Sequence, residues 1–82
     1  MNQIRVLFFA TLRDRAGTKV LQLEIPKDMT VQNLKEKIAL EYPALKQSMQ
    51  SVLISVNKEY AFDEAILPSN AEVAMFPPVS GG

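Results

Sequence analysis

The chain has 82 residues, no formal net charge, 48% hydrophobic and 22% charged residues, and neither cysteine nor histidine. That is room for one small globular domain with a barely sufficient core and no disulfide to reinforce it. The missing residue types exclude thiol nucleophiles and imidazole acid–base chemistry, leave no expected metal site, and the scattered lysines and arginines offer no basic face for nucleic acid.

Residues 4–10 are rich in β-branched and aromatic side chains and read as a strand. Alternation puts Ile4, Val6, Phe8 and Ala10 on one face and Arg5, Leu7 and Phe9 on the other. The apolar run from Val6 to Leu12 is too short to span a membrane. No small-residue cleavage site follows it, so no signal peptide is expected and the expected location is the cytoplasm. Asp14-Arg15-Ala16-Gly17-Thr18 is polar, holds the only internal glycine, and reads as the turn of a hairpin. Residues 19–25 form its second strand, with Leu21, Leu23 and Ile25 inward.

Pro26 ends that strand, and Thr30 reads as a helix N-cap. Val31, Leu34, Ile38 and Tyr42 recur at spacings of three and four, one apolar stripe of a helix that Pro43 closes. Residues 45–51 read as a loop with at most one helical turn. A third strand spans residues 52–56, Asn57-Lys58-Glu59 is a turn, and residues 60–62 form a short edge strand. Pro68, Ser69 and Asn70 mark a connection to the last strand, residues 72–76. There Val73 and Met75 share one face, Ala74 and Phe76 the other. Pro77-Pro78 stops it, since neither proline can donate a ladder hydrogen bond.

A hairpin, a crossover helix and further strands predict an α+β domain over residues 1–76. Its mixed sheet has four to five strands with one main helix packed across it, the ubiquitin-like β-grasp pattern. A split ferredoxin-like fold is the alternative and needs a second full helix.

Residues 77–82 then form a tail, Pro77-Pro78-Val79-Ser80-Gly81-Gly82. The prolines favour an extended conformation, and six extended residues reach roughly 20 Å. Gly81 and Gly82 carry no Cβ, so the end can enter a narrow channel in another protein. A carboxylate there is inert until activated, and adenylation would open it to attack by sulfur or nitrogen. With only three glycines the chain has no phosphate-binding loop, so any ATP is bound by a partner.

The sequence closely resembles the small, sulfur-carrier subunits of molybdopterin synthase. The resemblance rests on Val6-Leu7-Phe8-Phe9-Ala10 followed by Arg13 and Gly17, on Val56-Asn57, and above all on the ending from Glu72 through Phe76-Pro77-Pro78-Val79-Ser80-Gly81-Gly82. It implies that an adenylating enzyme activates Gly82 with ATP and that sulfur from a donor enzyme converts it to a thiocarboxylate. It also implies that the tail delivers this sulfur to a cyclic pyranopterin on the large synthase subunit, in a heterotetramer. No cofactor is expected to stay bound to the carrier, and the catalytic residues are expected on the large subunit. One departure is Asn70-Ala71-Glu72, where the family commonly has Gly-Asp-Glu; asparagine tolerates the left-handed turn that glycine would make.

The strand phases add a docking surface. Phe9 and Phe76 fall on the sheet face away from the helix, and parallel first and last strands would set them side by side where the tail departs. Tyr60 is expected to join them, and Arg13 is a candidate for the polar rim. Three other readings stay open: a protein modifier joined to lysines through Gly82, a sulfur carrier for thiamine synthesis, and an interaction domain with an idle tail.

Overall fold

Five short strands and one amphipathic helix supply most of the buried surface in the computed structural model, which describes residues 2–78. The strands are β1 (Asn2–Phe8), β2 (Val20–Ile25), β3 (Leu53–Val56), β4 (Glu59–Tyr60) and β5 (Glu72–Phe76). The helices are α1 (Thr11–Ala16) and α2 (Val31–Glu41), with 3₁₀ turns at Pro43–Leu45 and Ser48–Gln50. The sheet order is β2-β1-β5-β3-β4. β1 and β5 run parallel, and the other neighbours antiparallel.

Alternation in β1 drives Ile4, Val6 and Phe8 into the core. Val73 and Met75 of β5 lie beside them, and Ile54 of β3 continues the layer. Val31, Leu34 and Ile38 of α2 are buried against that layer, and Tyr42 meets Phe8 edge-on at 6.2 Å. Thr30 caps α2 in a reciprocal pair: its hydroxyl accepts from the Asn33 amide at 3.2 Å, and Asn33 Oδ1 accepts from the Thr30 amide at 3.4 Å. This is the ubiquitin-like β-grasp arrangement. α1 spans only six residues, which leaves the ferredoxin-like alternative without its second full helix. Among the described residues no helix is long and apolar enough to cross a membrane.

The link between β1 and β2 differs from the sequence expectation. Residues 14–18 are not a tight hairpin turn, because α1 occupies Thr11–Ala16. Leu12 is fully buried and Ala16 packs on the core, so an i, i+4 pair anchors this turn and a half. Gly17 closes it in the left-handed conformation at φ 76°, its amide donating to the Arg13 carbonyl at 3.0 Å. Ala10 is exposed rather than inward, because the strand ends at Phe8 and the chain turns out of the sheet. Ala10 sits at φ 54°, ψ −129°, with the Leu12 amide donating to the Phe9 carbonyl at 3.1 Å. Those angles match the first central position of a type II′ turn, normally a glycine site. The short edge strand is also shifted, to Glu59–Tyr60 instead of residues 60–62, and residues 45–51 carry parts of two 3₁₀ turns.

Two stability outcomes follow from this link. Leu12→Ala is expected to cost about 3 kcal/mol by leaving a cavity under α1. Ala10→Gly is expected to stabilise the domain by about 1 kcal/mol through relief of backbone strain. Urea denaturation of the two variants measures both.

Candidate functional site

The face of the sheet away from α2 is built from directly paired residues, which share a face across each ladder. One row crosses all five strands: Val20, Leu7, Ala74, Ser55 and Tyr60. The next row toward the end of β5 pairs Leu53 with Phe76. Phe9 extends it. The Phe9 amide donates to the Met75 carbonyl at 3.2 Å, so the residue keeps the β1–β5 register one step past the strand. Its ring stacks on Phe76 with centroids 4.7 Å apart and planes 12° from parallel. The row on the other side is polar, with Arg5 paired to Glu72 in an ion pair of 2.6 Å.

These rows make an open apolar patch. Phe9 is 40% exposed and Tyr60 78%, while Val20 and Leu53 are also exposed. Leu7, Ala74, Phe9, Phe76 and Tyr60 line one shallow hollow. Ala74 offers only a methyl group there, so the larger side chains stand around it. A solvated cluster of this kind, aromatic and aliphatic side chains standing around a small residue, has the composition of an interaction surface.

The turn between β3 and β4 borders the same hollow, through Lys58. Asn57 and Lys58 both have positive φ, 51° and 73°, as a type I′ hairpin turn requires. Asn57 ties the turn to β5: its amide donates to the Glu72 carbonyl at 2.8 Å, and its Oδ1 accepts from the Glu72 amide at 2.9 Å. Asn70 takes φ 61° in the turn before β5, the left-handed role anticipated for it.

The exit of the tail lies at the aromatic end of the patch. Pro77 is half-buried and Pro78 exposed. Both prolines line a groove with Thr11, Leu12, Arg15 and Ser48. Arg15 spans this groove, its Nη1 donating to Ser48 Oγ at 2.9 Å. Val79, Ser80, Gly81 and Gly82 lie outside the described residues.

Among the residues singled out from sequence, Phe9, Phe76 and Tyr60 come together in this hollow. Arg13 is exposed on α1 and is not among the residues lining the hollow. Arg15 carries no signal in the sequence, because a turn over residues 14–18 offers no helix face on which to place it. Nor does the sequence mark Leu53 and Val20 as members of the patch. Their membership follows from strand phase, which requires knowing which strands are neighbours.

A β-grasp sheet that exposes an aromatic face beside the exit of its last segment defines a small protein of the ubiquitin-like class. Within that class the chain belongs to the ThiS family, whose profile matches residues 6–82. It is 36% identical to the molybdopterin synthase sulfur carrier subunit of Arabidopsis thaliana over 98% of this chain and 83% of that protein. The protein of the same name from Dictyostelium discoideum is also 36% identical, over 99% of this chain and 98% of that protein. Among solved structures, the small archaeal modifier protein 1 from Methanosarcina acetivorans superposes with a TM-score of 0.84 at 29% identity, covering 100% of this chain and 98% of that one.

If the two rings support one another, their truncations will not be additive. A double-mutant cycle of Phe9→Ala and Phe76→Ala, followed by denaturant unfolding, should give a coupling of about 1 kcal/mol.

Proposed function

We propose that the chain is a sulfur carrier for molybdopterin synthesis, with Gly82 as the atom-bearing residue. The observation that carries this reading is the full-length likeness, at 36% identity, to two proteins named molybdopterin synthase sulfur carrier subunit; the family match that runs to Gly82 supports the terminus as the working part. The chain has neither cysteine nor histidine, which supports a reading in which the reactive sulfur rides on the chain end rather than on a side chain. In this reading an adenylating partner uses ATP. The Gly82 carboxylate attacks the α-phosphorus and pyrophosphate leaves, giving an acyl adenylate. Sulfide-level sulfur handed over by a donor enzyme then attacks the acyl carbon; the bond from that carbon to the AMP oxygen breaks, AMP leaves, and the terminus becomes a thiocarboxylate.

The carrier next docks on the large synthase subunit through Phe9, Phe76 and Tyr60, with Arg13 as the rim candidate. From the root at Pro77-Pro78 the tail through Val79, Ser80 and Gly81 has roughly 20 Å of reach, enough to bring its sulfur to a buried pyranopterin. Catalytic groups for that transfer belong to the large subunit, and the cytoplasm is the expected place of the reaction. The domain serves as a handle: two enzymes in turn grip one surface and act on one terminus.

A second reading has its own support. The likeness to a small archaeal modifier protein at 29% identity favours conjugation of Gly82 to protein lysines. Both readings require activation, and they diverge at the nucleophile, sulfur or amine.

Intact mass spectrometry of the chain isolated from cells should reveal a form with one C-terminal oxygen exchanged for sulfur. Deleting Gly82 should remove both that form and molybdopterin production; persistence of either sinks the carrier reading. Isopeptide-linked Gly82 on cellular lysines would establish the modifier reading. Phe76→Arg should weaken binding to the large subunit by at least about 2 kcal/mol, roughly 30-fold in Kd, while the domain stays folded. Calorimetric titration beside a circular dichroism melt checks both halves of that statement.

A further inference from the structure

Lys58 occupies a backbone position that suits it poorly. At φ 73° it is the second of two left-handed residues in the type I′ turn, where glycine is the favoured occupant after asparagine. An L side chain there is strained whatever surrounds it. The turn therefore gives up stability by carrying lysine. The same residue borders the aromatic hollow of Phe9, Phe76 and Tyr60.

The charges around that hollow are unequal in their engagement. Glu72, the acid that also lines it, is held by Arg5 at 2.6 Å. The ion pairs among the described residues are Arg5–Glu72, Lys35–Asp63 and Lys37–Glu41, and none includes Lys58. Lys58 is exposed, in the turn that leads from β3 into the edge strand β4. Among the described residues the hollow is therefore lined by apolar rings and by one cation, Lys58, that takes part in no ion pair with another described residue. Its electrostatic complement is an apolar surface carrying a carboxylate opposite the β3–β4 turn.

We propose that Lys58 is a specificity-determining residue of the docking face, whose charge at a strained turn position meets a carboxylate on the large synthase subunit. The inference rests on the carrier reading above, and commits to that subunit as the occupant of the hollow. A cation at the edge of an interface acts mainly on encounter, so its effect is expected in the association rate and its salt dependence.

Stopped-flow or surface-plasmon binding of the full chain to the purified large subunit tests it, across a range of ionic strength. Lys58→Glu should slow association by about tenfold at low salt, with the gap closing at high salt and dissociation nearly unchanged. Lys58→Gly should slow association by about threefold while raising the urea midpoint of the free chain. Lys58→Arg should restore the wild-type rate. A stability gain in Lys58→Gly with association unchanged, or a Lys58→Glu rate equal to wild type at every salt, overturns the proposal and leaves the carrier reading standing. A wild-type chain that does not bind the large subunit overturns both.

Discussion

The parallel pairing of β1 with β5 is the constraint on which the rest depends. Its register sets Arg5 beside Glu72, Val6 beside Val73, Leu7 beside Ala74 and Phe8 beside Met75. Because side chains alternate, one register settles both faces at once. Inward, it places Val6, Val73, Phe8 and Met75 in the layer that α2 covers. Outward, it brings Phe9 onto Phe76 and Leu7 onto Ala74. A slip of one residue would bury the polar set and expose the core, so hydrophobic burial of one face holds the other in place. At roughly 25 cal/mol per Å² of apolar surface, core burial far outweighs the solvated ion pair of Arg5 with Glu72.

The aromatic patch is thus specified indirectly. Nothing in the stacking of two half-solvated rings is strong enough to align two strands separated by more than sixty residues of sequence. A stacked pair adds about 1 kcal/mol, whereas each fully buried Leu, Val or Phe contributes a few. The core does the aligning and the surface inherits the geometry. The same dependence places the tail. β5 is central in the sheet, flanked by β1 and β3, so the segment after Phe76 leaves from a firmly held strand. α1 then borders its root through Thr11, Leu12 and Arg15.

Two of the three described residues that have positive φ without being glycine or asparagine stand near this surface: Ala10 and Lys58 are each next to a patch residue, in sequence or across the hollow, whereas Asp28 lies in the connection from β2 to α2. Local rules are most often broken where a side chain or a chain direction is needed for something besides folding. Ala10 turns the chain from the end of β1 into α1, immediately after Phe9. Lys58 sets a charge beside the rings.

Much of the molecule was legible in the residues alone. The period-2 pattern of β1 and β5, the stripe Val31–Leu34–Ile38, the Thr30 cap and the proline stops at 26, 43 and 77 are local signals with local causes, and the β-grasp order follows from them. The Gly-Gly ending and the absence of cysteine and histidine, which together direct attention to the terminus, also need no structure. Three things depended on tertiary contacts. The segment 11–16 is a helix because Leu12 and Ala16 find a core to bury in, and a six-residue helix is too short to announce itself by periodicity. Leu53, Val20 and Lys58 join Phe9 and Phe76 because strands distant in sequence become neighbours. Arg15 borders the tail root because α1 packs on the 3₁₀ turn at Pro43–Leu45, which brings its guanidinium to Ser48. Sequence determines which residues must be hidden; the fold decides which of those left outside stand together, since that depends on strand order and register.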